Sequence, residues 1–135
     1  MKEITLDAKI ENIAAATDFV VEQLEALDCS IKAQTQIDLA IDELFTNIAS
    51  YAYAPGEGKA TVRFEFDEAT RMASITFIDW GVPYDPLAKP DPDVTLSAEE
   101  RPIGGLGIFL VKKTMDAMEY RREDDRNMLT IRKKI

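Results

Sequence analysis

Val62-Arg63-Phe64-Glu65-Phe66, then Asp67-Glu68-Ala69-Thr70-Arg71, then Met72-Ala73-Ser74-Ile75-Thr76-Phe77-Ile78 is the stretch on which the fold turns. Val62, Phe64 and Phe66 alternate with Arg63 and Glu65, the two-residue period of a strand with one buried face. Met72 to Ile78 runs apolar through Ile75 and Phe77 and reads as a second strand. The five residues between them are of hairpin length. Strands joined this way pair antiparallel.

Upstream, Lys2 to Leu6 alternates in the same manner and predicts a short strand. From Asn12 the period changes. Ile13, Thr17, Val20, Leu24 and Leu27 line one face of a helix ending near Asp28. Ser30 is suited to cap a second helix, with the stripe Ile37, Ala40, Ile41, Leu44, Ile48 and Ala52, stopped at Ala54-Pro55-Gly56.

Downstream, periodicity disappears from Asp79 to Gly107, a stretch holding five of the six prolines and four of the six glycines. Loops of that length in a small domain most often serve as lids or binding segments. Ile108, Val111, Met115 and Met118 then predict a third helix. Glu119 to Glu123 and Met128 to Ile135 predict two strands around a hairpin signal at Asp124-Asp125-Arg126-Asn127. The order of elements does not divide into strand-helix repeats, which disfavours a doubly wound parallel sheet. The expectation is an α+β fold: a two-layer α/β sandwich whose sheet of about five strands is mixed and mostly antiparallel, with three helices on one face.

The 135 residues read as a single domain, 1–135, large enough to hold a core without metal or disulfide. Sixteen Lys and Arg against 25 Asp and Glu leave a net charge of −9, a poor basis for a nucleic-acid groove. No apolar run approaches a membrane span and no signal-peptide core follows Met1, so a soluble cytoplasmic protein is expected. The single cysteine, Cys29, excludes an internal disulfide. The chain has no histidine, which removes the Ser-His-Asp triad, the usual zinc sites and any phosphohistidine acceptor. Chemistry must therefore run on carboxylates, amides, cations and backbone groups.

Three places offer such chemistry. Glu43 and Asn47, four apart, project from one side of the second helix on the flank of its apolar stripe. They read either as polar residues beside the core or as a carboxylate and a magnesium-compatible amide at the edge of a cleft. Asp79 leaves the buried strand into Trp80-Gly81-Val82-Pro83, either as a turn former or as an acceptor for an exocyclic amine, with Gly81 allowing close approach of a flat ring. Arg101-Pro102-Ile103-Gly104-Gly105-Leu106-Gly107 precedes the third helix, either as a hinge or as an anion cradle of free N–H groups. It lacks the Gly-Lys-Ser/Thr ending of a Walker loop and the third glycine of a dinucleotide fingerprint.

With these residues in this order, the sequence resembles the GHKL-type ATPases and, within them, the small bacterial anti-sigma-factor serine/threonine kinases. Asp42-Glu43-Leu44-Phe45-Thr46-Asn47-Ile48-Ala49-Ser50-Tyr51-Ala52-Tyr53 is similar to their N box. Asp79-Trp80-Gly81-Val82-Pro83-Tyr84-Asp85-Pro86 is similar to the first glycine box, and Gly104-Gly105-Leu106-Gly107-Ile108-Phe109-Leu110-Val111 to the second. Pro83 stands where a second glycine is often found, and Tyr51 where a histidine is common.

The resemblance implies the Bergerat ATP-binding fold, with ATP and Mg²⁺ as cofactors. It implies Glu43 as general base, Asn47 as the metal ligand and Asp79 on the adenine amino group, with Gly81 shaping that pocket. Of the cofactor-binding run Gly104, Gly105, Leu106 and Gly107, Gly105 and Gly107 would meet the phosphates through backbone N–H groups and Gly104 would give the lid its freedom; Arg101 would face the γ-phosphate, with residues 83–103 as the ATP lid. It further implies a homodimer that holds a sigma factor or similar regulator and phosphorylates an anti-anti-sigma antagonist protein. The rival expectation is a nucleotide-dependent module that sequesters its partner without appreciable phosphoryl transfer.

Overall fold

The computed structural model describes residues 1–88 and 106–135. Strand β1 (Lys2–Asp7) is followed by helices α1 (Ile13–Ala26) and α2 (Ile31–Asn47), strands β2 (Lys59–Asp67) and β3 (Met72–Asp79), helix α3 (Leu106–Thr114), and strands β4 (Ala117–Glu123) and β5 (Arg126–Lys134). The strands form one sheet in the order β1-β2-β3-β5-β4. Every pairing in it is antiparallel, so the mixed alternative drops out.

The helices cover one face of the sheet. Val62, Phe64, Ile75, Phe77, Leu129 and Ile131 supply its buried side. Val20 and Leu24 from α1, Ile37, Ile41, Leu44 and Phe45 from α2, and Ile108 and Val111 from α3 pack onto them. Phe45 and Phe77 are the largest side chains fully out of solvent. Burial of a side chain of that kind stabilises by roughly 1.5–3 kcal/mol, and truncating one costs about 3–5 kcal/mol once the cavity is included.

Local chemistry sets the boundaries. Ser30 caps α2, its hydroxyl accepting from the Ala33 N–H at 3.1 Å. The Asp67 carboxylate accepts from the Ala69 N–H and shapes the β2–β3 turn, which closes through Arg71 at a φ of 56°. Arg71 donates from that corner to the carbonyls of Leu27 and Ile135, tying the hairpin to the end of α1 and to the last residue.

Three expectations change. The second helix is not one regular rod to Ala52: α2 ends at Asn47 and Ile48–Ala52 forms a π-helical turn. Such widened turns recur at functional sites, because one extra residue per turn redirects the side chains and carbonyls that follow. Met118 does not belong to the third helix. That helix stops at Thr114, Met115 is buried beyond its end, and Met118 lies in β4. The last hairpin turns on two residues, Asp124 and Asp125, both at positive φ (53° and 61°), a tight loop that Asp tolerates. Arg126 and Asn127 therefore join β5.

Candidate functional site

The last inward-facing position of β3 is Asp79, 5% exposed. Its Oδ1 accepts from the Gly81 N–H and from Asn127 Nδ2, each at 2.9 Å. These are the hydrogen bonds of the Asp79 carboxylate among the described residues. Oδ2 is thus the unused oxygen of a carboxylate that lines a pocket of about 470 Å³, part of it open to solvent. Leu44, Ile48, Ala52, Phe77, Val82 and Leu129 form apolar walls, while Asn47, Asp79, Tyr84, Tyr120 and Asn127 bring polar groups to them. Apolar walls with a few convergent polar groups are the usual makeup of a site for a flat organic ligand.

The π-helical turn shapes the rim. The Ala52 carbonyl accepts from the Val82 N–H at 2.9 Å, which brings the chain leaving β3 against the end of the turn. A β-carbon at Gly81 would collide with the backbone of Ala52, so only glycine fits here. Tyr53 locks the same corner: its hydroxyl donates to the Lys59 carbonyl and accepts from the Trp80 N–H.

Asn47 is the last residue of α2 and half-buried, its side chain on the pocket wall. Glu43, one turn earlier, is also half-buried but lies outside that wall. Its carboxylate rests directly against Gly107, the second residue of α3, where any β-carbon would overlap it. Burial, and secondarily the Asp42 carboxylate, raise the Glu43 pKa above its usual value. Of the predicted site residues, the fold thus brings Asn47 and Asp79 into one pocket with Gly81 at its rim, and brings Glu43 against Gly107. Leu106 opens α3. Arg101, Gly104, Gly105 and residues 89 to 103 of the expected lid, 83–103, lie outside the described residues; within its described part, 83–88, Pro86–Ala88 forms a single 3-10 turn.

Sequence reasoning missed Asn127, Tyr120 and Arg122. Asn127 is 5% exposed and bonded to Asp79, although the sequence pattern places it in the hairpin turn. The signal was present: it falls two residues before Leu129 and four before Ile131, in phase with the buried face.

The chain belongs to the histidine kinase-like ATPase domain family, whose sequence model matches residues 6–133. Membership carries ATP binding with it. Among individual relatives, the serine/threonine-protein kinase BtrW of Bordetella bronchiseptica is 31% identical over 102 residues, covering 76% of this chain and 71% of the relative. An anti-sigma F factor of Clostridium perfringens is 29% identical over 127 residues, covering 94% of this chain and 90% of the relative. Among the described residues no helix is long and apolar enough to cross a membrane.

Proposed function

We propose that this protein is an ATP-dependent protein serine/threonine kinase acting as an anti-sigma switch. It holds a sigma factor or similar regulator and phosphorylates a serine on a small antagonist of the anti-anti-sigma kind. Similarity to relatives named as a serine/threonine-protein kinase and as an anti-sigma F factor supports this reading. The observation that carries it is the convergence around α2: Asn47 on the Asp79 pocket, and Glu43 one turn away at the start of α3.

Asp79 Oδ2 is an acceptor suited to the adenine amino group, and Gly81 leaves the rim free of a side chain. Asn47 offers an amide oxygen, a hard ligand suited to Mg²⁺. Among the described residues no group of three or more His, Cys, Asp or Glu is placed to hold a metal. A site using one protein oxygen and the nucleotide's own phosphates fits that donor set. Bound Mg·ATP supplies the transferable phosphoryl group and neutralises its charge.

Glu43 then takes the proton of the incoming serine hydroxyl, a role favoured by its raised pKa. Backbone N–H groups at Gly104, Gly105, Leu106 and Gly107 cradle phosphates at the start of α3, and Arg101 stabilises charge on the γ-phosphate. Residues 83–103 serve as lid. The working form is a cytoplasmic homodimer, and no direct nucleic-acid contact is expected at a net charge of −9.

The test is incubation with γ-labelled ATP, Mg²⁺ and candidate antagonists, scored for phosphoserine. Wild type should label the cognate antagonist. Glu43→Gln should keep ATP affinity and lose the label. Equal labelling by both would remove Glu43 as base. ATP binding without labelling of any antagonist would favour a module that sequesters its partner without phosphoryl transfer.

A further inference from the structure

Asp79, Asn127 and Arg122 form one row across three adjacent strands. Asp79 of β3 is the register partner of Asn127 in β5, and Asn127 of Arg122 in β4. They share phase with Phe77, Leu129 and Tyr120, the positions facing the helices. Polar groups on a buried sheet face need partners, and the side chain of Asn127, buried at the centre of this row, finds its own within the protein. Asn127 Nδ2 donates to Asp79 Oδ1 at 2.9 Å and to the Val82 carbonyl at 2.8 Å. Its Oδ1 accepts from the Tyr120 hydroxyl, from Arg122 Nη1 at 3.2 Å and from the Tyr84 N–H at 3.3 Å. Arg122 Nη1 also donates to the Gly81 carbonyl at 2.9 Å.

Acceptors on one side of the amide and donors on the other leave it a single orientation. Reversal would turn an N–H₂ toward a guanidinium and the amide oxygen toward a carboxylate. That orientation is passed on to Asp79. With Oδ1 held by both Asn127 and the Gly81 N–H, the plane of the carboxylate is fixed, and Oδ2 is the oxygen left for a ligand. A fixed acceptor rewards a donor and leaves a second acceptor unpaired, which is costly in a closed site.

We infer that Asn127, itself held by Tyr120 and Arg122, is a positioning residue for base choice: the Asp79 carboxylate can only accept, and by fixing its plane Asn127 sharpens the pocket's preference for a 6-aminopurine over a 6-oxopurine. This rests on the reading of Asp79 as the base anchor. In the sequence Asn127 falls in the hairpin signal and in none of the three stretches that offer chemistry.

The test is calorimetric titration of the full chain, with Mg²⁺, against ATP, GTP and purine riboside triphosphate, which lacks the 6-amino group. Wild type should bind ATP at least about tenfold more tightly than either, the ordinary worth of one hydrogen bond to a charged group. Asn127→Leu should hold affinity for the riboside analogue near the wild-type value while its ATP preference falls below about threefold. Tyr120→Phe, which removes one of the three donors to Asn127 Oδ1, should cut the preference by about threefold and serves as the deciding variant if Asn127→Leu does not fold. A purely structural role would weaken all three nucleotides together. Retention of the wild-type preference in both folded variants, or in folded Tyr120→Phe alone when Asn127→Leu does not fold, with that preference lost in Asp79→Asn, would overturn the role of Asn127 and leave Asp79 standing. Absence of any preference in wild type would remove Asp79 as the base anchor, and the inference with it.

Discussion

The α-carbon of Gly107 lies against the carboxylate of Glu43, so close that a β-carbon there would overlap Cδ and both oxygens. Those atoms are the far end of a flexible side chain, and they can give way at small cost to the fold. Gly107→Ala should therefore change stability by less than about 1 kcal/mol, the scale of an ordinary Gly-to-Ala exchange. It should cut phosphoryl transfer at least about tenfold, because a carboxylate displaced by an ångström loses its reach to a hydroxyl. Parallel melting curves and transfer assays check this. A large loss of stability would contradict it.

Gly81 differs in kind. A β-carbon there meets the carbonyl group and Cβ of Ala52, and backbone cannot swing aside. Gly81→Ala is expected to cost about 1–3 kcal/mol, the usual range for forcing atoms into a packed site. It should also weaken ATP binding, since the Val82 N–H to Ala52 carbonyl bond that closes the rim would have to lengthen. Denaturant titration measures the first effect and nucleotide titration the second.

Glu43 also makes a pH prediction. Its pKa is raised by burial and by Asp42 from the usual 4.5, so between the unfolded and folded values the native state holds more protons than the unfolded chain. Stability then falls as pH rises through that window. Glu43→Gln removes the group responsible, so the variant should melt higher than wild type at pH 7. That margin should vanish below about pH 4, where the carboxyl is neutral in both states. A margin that grew toward acid would run against the sign of the shift.

Asp38, on the far side of α2, behaves alike for a structural reason. Its Oδ1 is buried without a hydrogen-bond partner among the described residues, and burial raises its pKa. Asp38→Asn drops the charge while keeping the shape, and should raise the melting temperature by a few degrees at pH 7. No change would mean that solvent already satisfies this carboxylate.

Much of the architecture was legible in the chain because each element carries its own period. Val62-Phe64-Phe66 and Ile75-Phe77 announce the central hairpin, Ser30 and the stripe from Ile37 onward the long helix. What the period could not reveal was where it breaks. Ile48 and Ala52 continue the apolar stripe whether the turn is α or π, so the widened turn after Asn47 left no mark. Met118 fits a helical stripe after Met115 equally well, and only pairing with Ile131 in β5 assigns it to a strand. Glu43, Asn47, Asp79 and Gly81 stand out as candidates because each sits in a local motif. Asn127 is remote from Asp79 in sequence and meets it only through strand register, a relation that one sequence does not display.

The most direct test of the whole account is a titration of Mg·ATP into wild type and Asp79→Asn, followed by calorimetry. The account predicts a saturable heat at one site per chain, with affinity reduced at least about tenfold in the variant, because an amide can present a donor to the adenine amine where the carboxylate accepted. No heat in wild type, or the same isotherm from both proteins, would contradict it.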